Sequence, residues 1–338
     1  MAYRVLLTRR IPDPAMEWLA ARCELEVNEA DVPMSYEELS ERLEGKDGLL
    51  AQLTDRVDAA LLERHAQQLK GIANYAVGLN NIDLQEATRR GIPVSHTPGV
   101  LTETTADLAW ALLMASARRI VEADAYIRSG RWQGWDPMLF LGTEVYGSTL
   151  GVVGFGRIGQ AMARRAQGFG MKVLYYNRTR LDEEEERRRG VAYAALDDLL
   201  AEADFVSLHV PYTPATHHLI SADRLRRMKP AAHLINTARG AVVEEAALVR
   251  ALREGWIAGA GLDVFEEEPR LADGLAELPQ VVLAPHIGSA TRKTRERMGM
   301  MAAQDLLLMM AGKRPRHPAN PELFPLAGEG SAAGEADG

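Results

Sequence analysis

Cysteine is almost missing: the chain holds one, Cys23, in 338 residues. A lone thiol closes no intramolecular disulfide, so nothing points to a stapled scaffold or an oxidising compartment. Cys23 reads as a small buried apolar side chain. Long hydrophobic runs are missing as well. The longest, around "LAWALLMASA", falls short of the roughly 20 residues that a membrane span needs. The opening "MAYRVLLTRR" has neither the apolar core nor the small-residue cleavage site of a signal peptide. A soluble, cytoplasmic protein is the expectation. Positive charge is in deficit, with 39 Lys and Arg against 47 Asp and Glu and a formal net charge of −8. That balance excludes a generic nucleic-acid binder, because neutralising phosphates needs a net basic face. Lysine is scarcer still, at 6 against 33 arginines, a bias that codon usage explains first and thermal adaptation second. The 8 histidines, adjacent His217 and His218 included, lack the spacing of a metal site, so no metal is expected.

What is present is apolar content of 47%, ample core for two ordinary domains. Strand-like and helical patterns alternate along the chain, the signature of an α/β fold with parallel sheets. A first series runs through "RVLLTR", "LEVNE", "GLLAQ", "GIANYAV" and "IPVSH". A second opens at "STLGVVGFGRIG" and continues through "MKVLYYN", "ADFVSLHV", "AAHLINTA", "GAGLDV" and "VVLAPH". Between them, "TTADLAWALLMASARRIVEADAYIRSG" predicts one long helix crossing between two lobes. The expectation is two Rossmann/flavodoxin-like lobes with the active-site cleft between them. The substrate-binding lobe takes residues 1–99 plus 287–320, and the dinucleotide-binding lobe takes 100–286. The segment 326–338, rich in Gly, Ala and acid, has little to bury and is expected to be disordered.

In "LGVVGFGRIGQAMARRA" an apolar strand meets Gly154, Gly156 and Gly159 at G-x-G-x-x-G spacing, and a helical pattern follows. Gly154 permits the tight turn, Gly156 lets the backbone approach a pyrophosphate, and Gly159 lets helix and strand pack closely. Arg157 and Ile158 lie between the glycines and belong to the same site. The phosphates then rest on free N–H groups at the positive end of the helix. The next strand ends in "VLYYNRTR". An acid there would hold the ribose hydroxyls of NAD and repel a 2′-phosphate. Asn177 removes the repulsion, and Arg178, Thr179 and Arg180 offer charge-assisted hydrogen bonds to that phosphate. NADP(H) is therefore the expected cofactor, with NAD(H) second.

Three later segments, each after a strand-like run, supply a guanidinium (Arg239 in "NTARG"), carboxylates (Glu266 to Glu268 in "LDVFEEEP") and an imidazole (His286 in "LAPHIGSAT"). Strand ends converge on the ligand crevice of an open α/β sheet, which makes the three types candidate neighbours. Singly, each has an ordinary structural explanation. Their order downstream of the glycine turn gives them weight together.

From "LLTRRIP" to about "RPRHPANPEL" the chain resembles the D-isomer-specific 2-hydroxyacid dehydrogenases, and within them the glyoxylate/hydroxypyruvate reductases. The resemblance is carried by "VGFGRIGQAMARRAQGFGMKVLYYNRTR", "INTARGAVV", "GAGLDVFEEEP" and "LAPHIGSAT". It implies that Arg239, Glu268 and His286 are the catalytic residues; composition alone does not choose Glu268 over its neighbours. It also implies that Val77 and Gly78 hold the substrate carboxylate through backbone N–H groups, and that Leu53 lines the pocket. By the same resemblance, the backbone of Thr237, Ala238 and Arg239 is expected to border the cofactor, and Asp263 to contact the nicotinamide amide. The resemblance further implies a homodimer in which Trp135 enters the partner's site. The implied reaction is reduction of glyoxylate or hydroxypyruvate to glycolate or D-glycerate. Alternatives are another substrate of the same family, such as 3-phosphoglycerate, or a dinucleotide-sensing corepressor on the same fold. Formate-dehydrogenase relatives carry Gln where Glu268 stands.

Overall fold

The computed structural model describes residues 2–30 and 32–324, and the 326–338 tail lies outside the described residues. The chain divides into two compact units, Met1–Val100 with Thr291–Gly338, and Leu101–Ala290. Each is built on a parallel sheet flanked by helices, the α/β class that the alternating pattern predicts.

In the first unit, strands β1 (Arg4–Leu7), β2 (Glu24–Val27), β3 (Gly48–Ala51), β4 (Gly71–Asn74) and β5 (Val94–Ser95) pair in the order β2-β1-β3-β4-β5. All pairs are parallel. Strand β3 reads "GLLA" with every residue buried, because a strand covered on both faces has no solvent side to leave polar. Helix Arg292–Met310, started by the Thr291 cap, packs on this sheet. Two glycines set the approach. A Cβ on Gly48 would stand 2.7 Å from Met310 Sδ, and one on Gly71 would stand 2.7 Å from Met309 Cβ.

The second unit holds β6 (Thr149–Val153), β7 (Lys172–Tyr176), β8 (Ala192–Tyr193), β9 (Phe205–Leu208), β10 (His233–Asn236), β11 (Gly259–Leu262) and β12 (Val281–Leu283). Their order is β12-β11-β10-β9-β6-β7-β8, again all parallel. The chain steps outward from β6 to β8, then returns beside β6 and steps outward the other way. Strand order thus reverses between β6 and β9, and ligands bind beyond the carboxyl ends of strands at such a point. Helix Thr102–Ala117 covers part of the sheet through Thr105, Ala109, Leu112 and Ser116, which recur at helical spacing on its buried side. A Cβ on Gly261 of β11 would come within 2.9 Å of Leu112 Cβ. Fully buried side chains such as Phe205, Leu150 and Leu234 stabilise the unit by roughly 2–3 kcal/mol each.

The stretch that predicts one long helix is two, Thr102–Ala117 and Ile120–Arg128, and both lie in the second unit. The chain breaks at Arg119, whose φ is 53°. Thr143 N donates to Ala117 O at 2.8 Å, occupying a carbonyl that a continuous helix would use. Gly142 sits so close that a Cβ on it would be 2.3 Å from the same oxygen. The residues that stop the helix arrive from far along the chain, where periodicity carries no trace of them.

Candidate active site

Immediately after β6 comes the glycine turn. Gly154 has a φ of 96°, and a Cβ there would be 2.7 Å from both His209 C and Val210 N, just past the end of β9. A Cβ on Gly159 would stand 2.2 Å from Gly154 O. The protein's own packing therefore requires the first and third glycines. Gly156 differs: it caps helix Arg157–Gly168, and a Cβ on it would meet nothing within 4 Å. The space in front of the helix's free N–H groups is open, which is the condition for seating an anion. Arg157 is exposed and Ile158 half-buried on the first turn.

Beside it, the end of β7 is stitched to the turn. Gly154 N donates to Tyr176 O at 2.9 Å. Asn177 Oδ1 accepts from Phe155 N at 3.4 Å, and Asn177 Nδ2 donates to Thr179 O at 3.0 Å. Arg178 and Thr179 are exposed. Arg180 is engaged differently, gripping the buried Glu186 with Nε and Nη2 at 2.8 and 2.9 Å. The hydrogen bonds to Glu186 raise the Arg180 pKa further above its ordinary value. Tyr175 donates to the same carboxylate at 2.8 Å, and burial pushes its phenol up to about 12.

The guanidinium, carboxylate and imidazole stand in segments that leave β10, β11 and β12. After β10, Asn236 folds the "NTARG" turn onto itself, its Nδ2 donating to Arg239 O at 2.9 Å and its Oδ1 accepting from Ala238 N at 3.0 Å. Arg239 is half-buried. Burial pulls its pKa down, with the charge of Glu268 working the other way; a guanidinium stays protonated under such pressure. The next residue, Gly240, lies against the loop after β11, where a Cβ would be 1.8 Å from Phe265 C. Only glycine permits that approach, which brings the Arg239 segment onto the Glu268 segment.

Asp263, fully buried after β11, holds the His286 loop. Its Oδ1 accepts from Ile287 N at 2.7 Å, its Oδ2 from Gly288 N at 2.8 Å, and its carbonyl from His286 N at 2.9 Å. Burial raises the Asp263 pKa, and the backbone bonds and His286 oppose the rise. His286 is kept at a φ of 53°. Its Nδ1 donates to Glu268 Oε2 at 2.8 Å, while Glu268 Oε1 accepts from Phe265 N at 3.1 Å. Burial pushes the Glu268 carboxyl up, but the bond and charge of His286, then Phe265 N and Arg239, outweigh it and leave the pKa below its ordinary value. An ionised Glu268 thus fixes the tautomer of the ring and leaves Nε2 for a reacting oxygen.

A dinucleotide fits these residues. Besides the open cradle at Gly156, the hydroxyl of Thr237 is buried with no hydrogen-bond partner among the described residues. A buried polar atom left alone costs free energy, so an orphan at a strand end is what a ligand contact would satisfy. Nothing in the sequence marks that hydroxyl, nor the hold of Asp263 on the His286 loop. In the first unit, Leu53 is half-buried after β3, and Asn74 Nδ2 donates to Gly78 O at 2.8 Å. The N–H groups of Val77 and Gly78 meet no acceptor among the described residues. Trp135 is 85% exposed. No helix among the described residues is long and apolar enough to cross a membrane.

Sheet order and site together define a class: oxidoreductases that seat a nicotinamide dinucleotide on a glycine turn. The chain belongs to the D-isomer-specific 2-hydroxyacid dehydrogenases, and the profile described as "D-isomer specific 2-hydroxyacid dehydrogenase, NAD binding domain" matches residues 110–288. It is 53% identical over 325 residues to a glyoxylate reductase of Korarchaeum cryptofilum, covering 96% of this chain and 97% of that one. Among solved structures, a protein from Thermus thermophilus superposes with a TM-score of 0.87 at 50% identity, covering 94% of this chain and 99% of the other. The NADPH-dependent glyoxylate/hydroxypyruvate reductase of Sinorhizobium meliloti, solved with NADP and malonate, gives 0.84 at 33% identity, with 94% and 97% covered.

Proposed function

We propose that this protein reduces glyoxylate and hydroxypyruvate to glycolate and D-glycerate, preferring NADPH and accepting NADH. The observation that carries the reading is the His286 to Glu268 contact at 2.8 Å, with Arg239 close enough to act on the same carboxylate. The names of its relatives agree in substrate, and the Sinorhizobium enzyme was solved with NADP. Reduced nicotinamide, when bound, supplies the hydride for the carbonyl carbon. Arg239 orients the keto acid with its planar fork. His286 delivers the proton from Nε2 to the developing alkoxide. Glu268 keeps the ring turned, with Nε2 toward the reacting oxygen.

The second unit takes the dinucleotide, with phosphates on the Gly154–Gly159 turn, Thr237 to Arg239 along its edge and Asp263 near the amide. Asn177, Arg178 and Thr179 receive the 2′-phosphate, and Arg180, held by Glu186, completes the basic rim. In the first unit, the N–H groups of Val77 and Gly78 take the substrate carboxylate and Leu53 the apolar side. The protein works in the cytoplasm as a homodimer, with Trp135 in the partner's site. Helix Ile120–Arg128, which buries none of its own residues, supports the dimer.

A steady-state panel of 2-keto acids with both cofactors tests the reading. Glyoxylate and hydroxypyruvate should be reduced fastest with NADPH. His286→Gln should lower kcat by about 10³-fold, the scale of lost acid catalysis, with NADPH affinity kept in a fluorescence titration. Tight NADPH binding with no turnover of any keto acid would mark a binding protein and end the proposal.

A further inference from the structure

Behind Arg239 and Glu268 lies a second histidine–carboxylate contact. His218 Nε2 donates to Glu266 Oε1 at 2.5 Å. The ring of His217 stacks on that of His218 with centroids 3.9 Å apart. His218 has a φ of 49°, a backbone state uncommon for a residue with a side chain. Its backbone N–H is committed to Ala241 O at 2.8 Å, within the short helix Gly240–Val242 that follows Arg239. One residue therefore holds the Arg239 segment with its main chain and the Glu268 segment with its side chain.

Glu266 is itself tied from the other side. Its backbone N–H donates to Glu245 Oε2 at 2.7 Å, and its Oε2 accepts from Glu245 N at 3.2 Å. Glu245, buried, also accepts from Ala272 N at 2.7 Å through Oε1. The loop that carries Glu268 is thus pinned at 266 and at 272, and Phe265 N bonds to Glu268 beside the pinned stretch. Two carboxylates, Glu245 and Glu266, meet here, and the only imidazole bonded to either among the described residues is that of His218.

We infer that His218, through Glu266, is a positioning residue for the reaction: it sets where the Glu268 carboxylate meets His286 relative to Arg239. The inference rests on the proposed function, since it acts through Glu268. A network in which the partly exposed His218 and Glu266 are both bonded and tied to the buried Glu245 fixes geometry more tightly than side-chain packing alone, and displacements of about an ångström at a reacting centre cost large factors in rate.

Four variants of the full chain test it: His218→Ala, His218→Gln, Glu268→Gln and the double His218→Ala with Glu268→Gln. His218→Ala should lower kcat about tenfold with the KM for NADPH unchanged. His218→Gln, which keeps a donor toward Glu266, should recover most of the loss, and the double variant should be no slower than Glu268→Gln alone. A His218→Ala enzyme that only melts earlier, with kcat unchanged, overturns the inference, as do losses that multiply in the double variant. If Glu268→Gln itself leaves the rate untouched, the proposed chemistry falls and this inference with it. If Glu268→Gln is slow and His218→Ala is not, only the inference falls.

Discussion

In the proposed cofactor site, Asn177 would decide between NADP and NAD. A carboxylate there would face the 2′-phosphate of NADP; an amide spends its oxygen on Phe155 N and its N–H on Thr179 O, which presents the turn without charge. Of the two nearby arginines, only Arg180 is bonded to Glu186, so in the proposed site Arg178 would carry most of the attraction for a 2′-phosphate. Asn177→Asp combined with Arg178→Ala should lower the ratio of NADPH to NADH efficiency by about 10²-fold or more, given the 1.5–3 kcal/mol scale of a charged hydrogen bond plus new repulsion. An unchanged ratio in steady-state kinetics would refute the assignment. At this scale much was legible. Arg239, Glu268 and His286 stand in short motifs after strands, and the steric demands of Gly154 and Gly159 are the ones their spacing implies. Gly240 was visible as a letter of "NTARG", but its overlap with Phe265 was not, because the contact joins segments from two different strands.

Elements were legible where one repeating pattern decides them and illegible where a distant residue does. Every strand but the two-residue β8 falls on a strand-like run of the sequence, and helix Arg292–Met310 falls within its long helical pattern. The break at Arg119 depends on Thr143, and what holds Thr143 is His233 at the start of β10. The ring of His233 lies 2.8 Å from Ser116 Oγ and 2.9 Å from Thr143 Oγ1, joining helix, strand and the returning segment. Burial pushes its pKa from 6.5 down to about 4. The folded state therefore resists a proton that the unfolded chain accepts. Stability from this residue is complete above pH 6.5, falls as pH drops below it, and stops falling below about 4, a loss on the order of 3 kcal/mol in all. Denaturant titrations at pH 7 and pH 4.5 should show a smaller acid loss for His233→Gln than for the parent. Equal losses would place the acid sensitivity elsewhere.

For the molecule as a whole, apolar surface gathers in one stretch of chain. Ile120, Val121 and Ile127 are 54%, 51% and 56% exposed, and Trp135, Met138 and Tyr146 are 85%, 71% and 74% exposed. In the proposed homodimer, these exposed apolar side chains are what the partner would cover. Ile120→Glu with Ile127→Glu should turn a dimer into a monomer by light scattering, and a parent chain that is already monomeric would refute the homodimer. The paired-unit layout was legible in the alternating patterns, whereas association was hinted at only through the family resemblance, since exposure is a property of packing. Arg239, Glu268 and His286 all belong to Leu101–Ala290. The three side chains proposed to orient the keto group and deliver the proton are therefore assembled within one compact unit, and a substitution that disturbs the packing of that unit would displace all three at once.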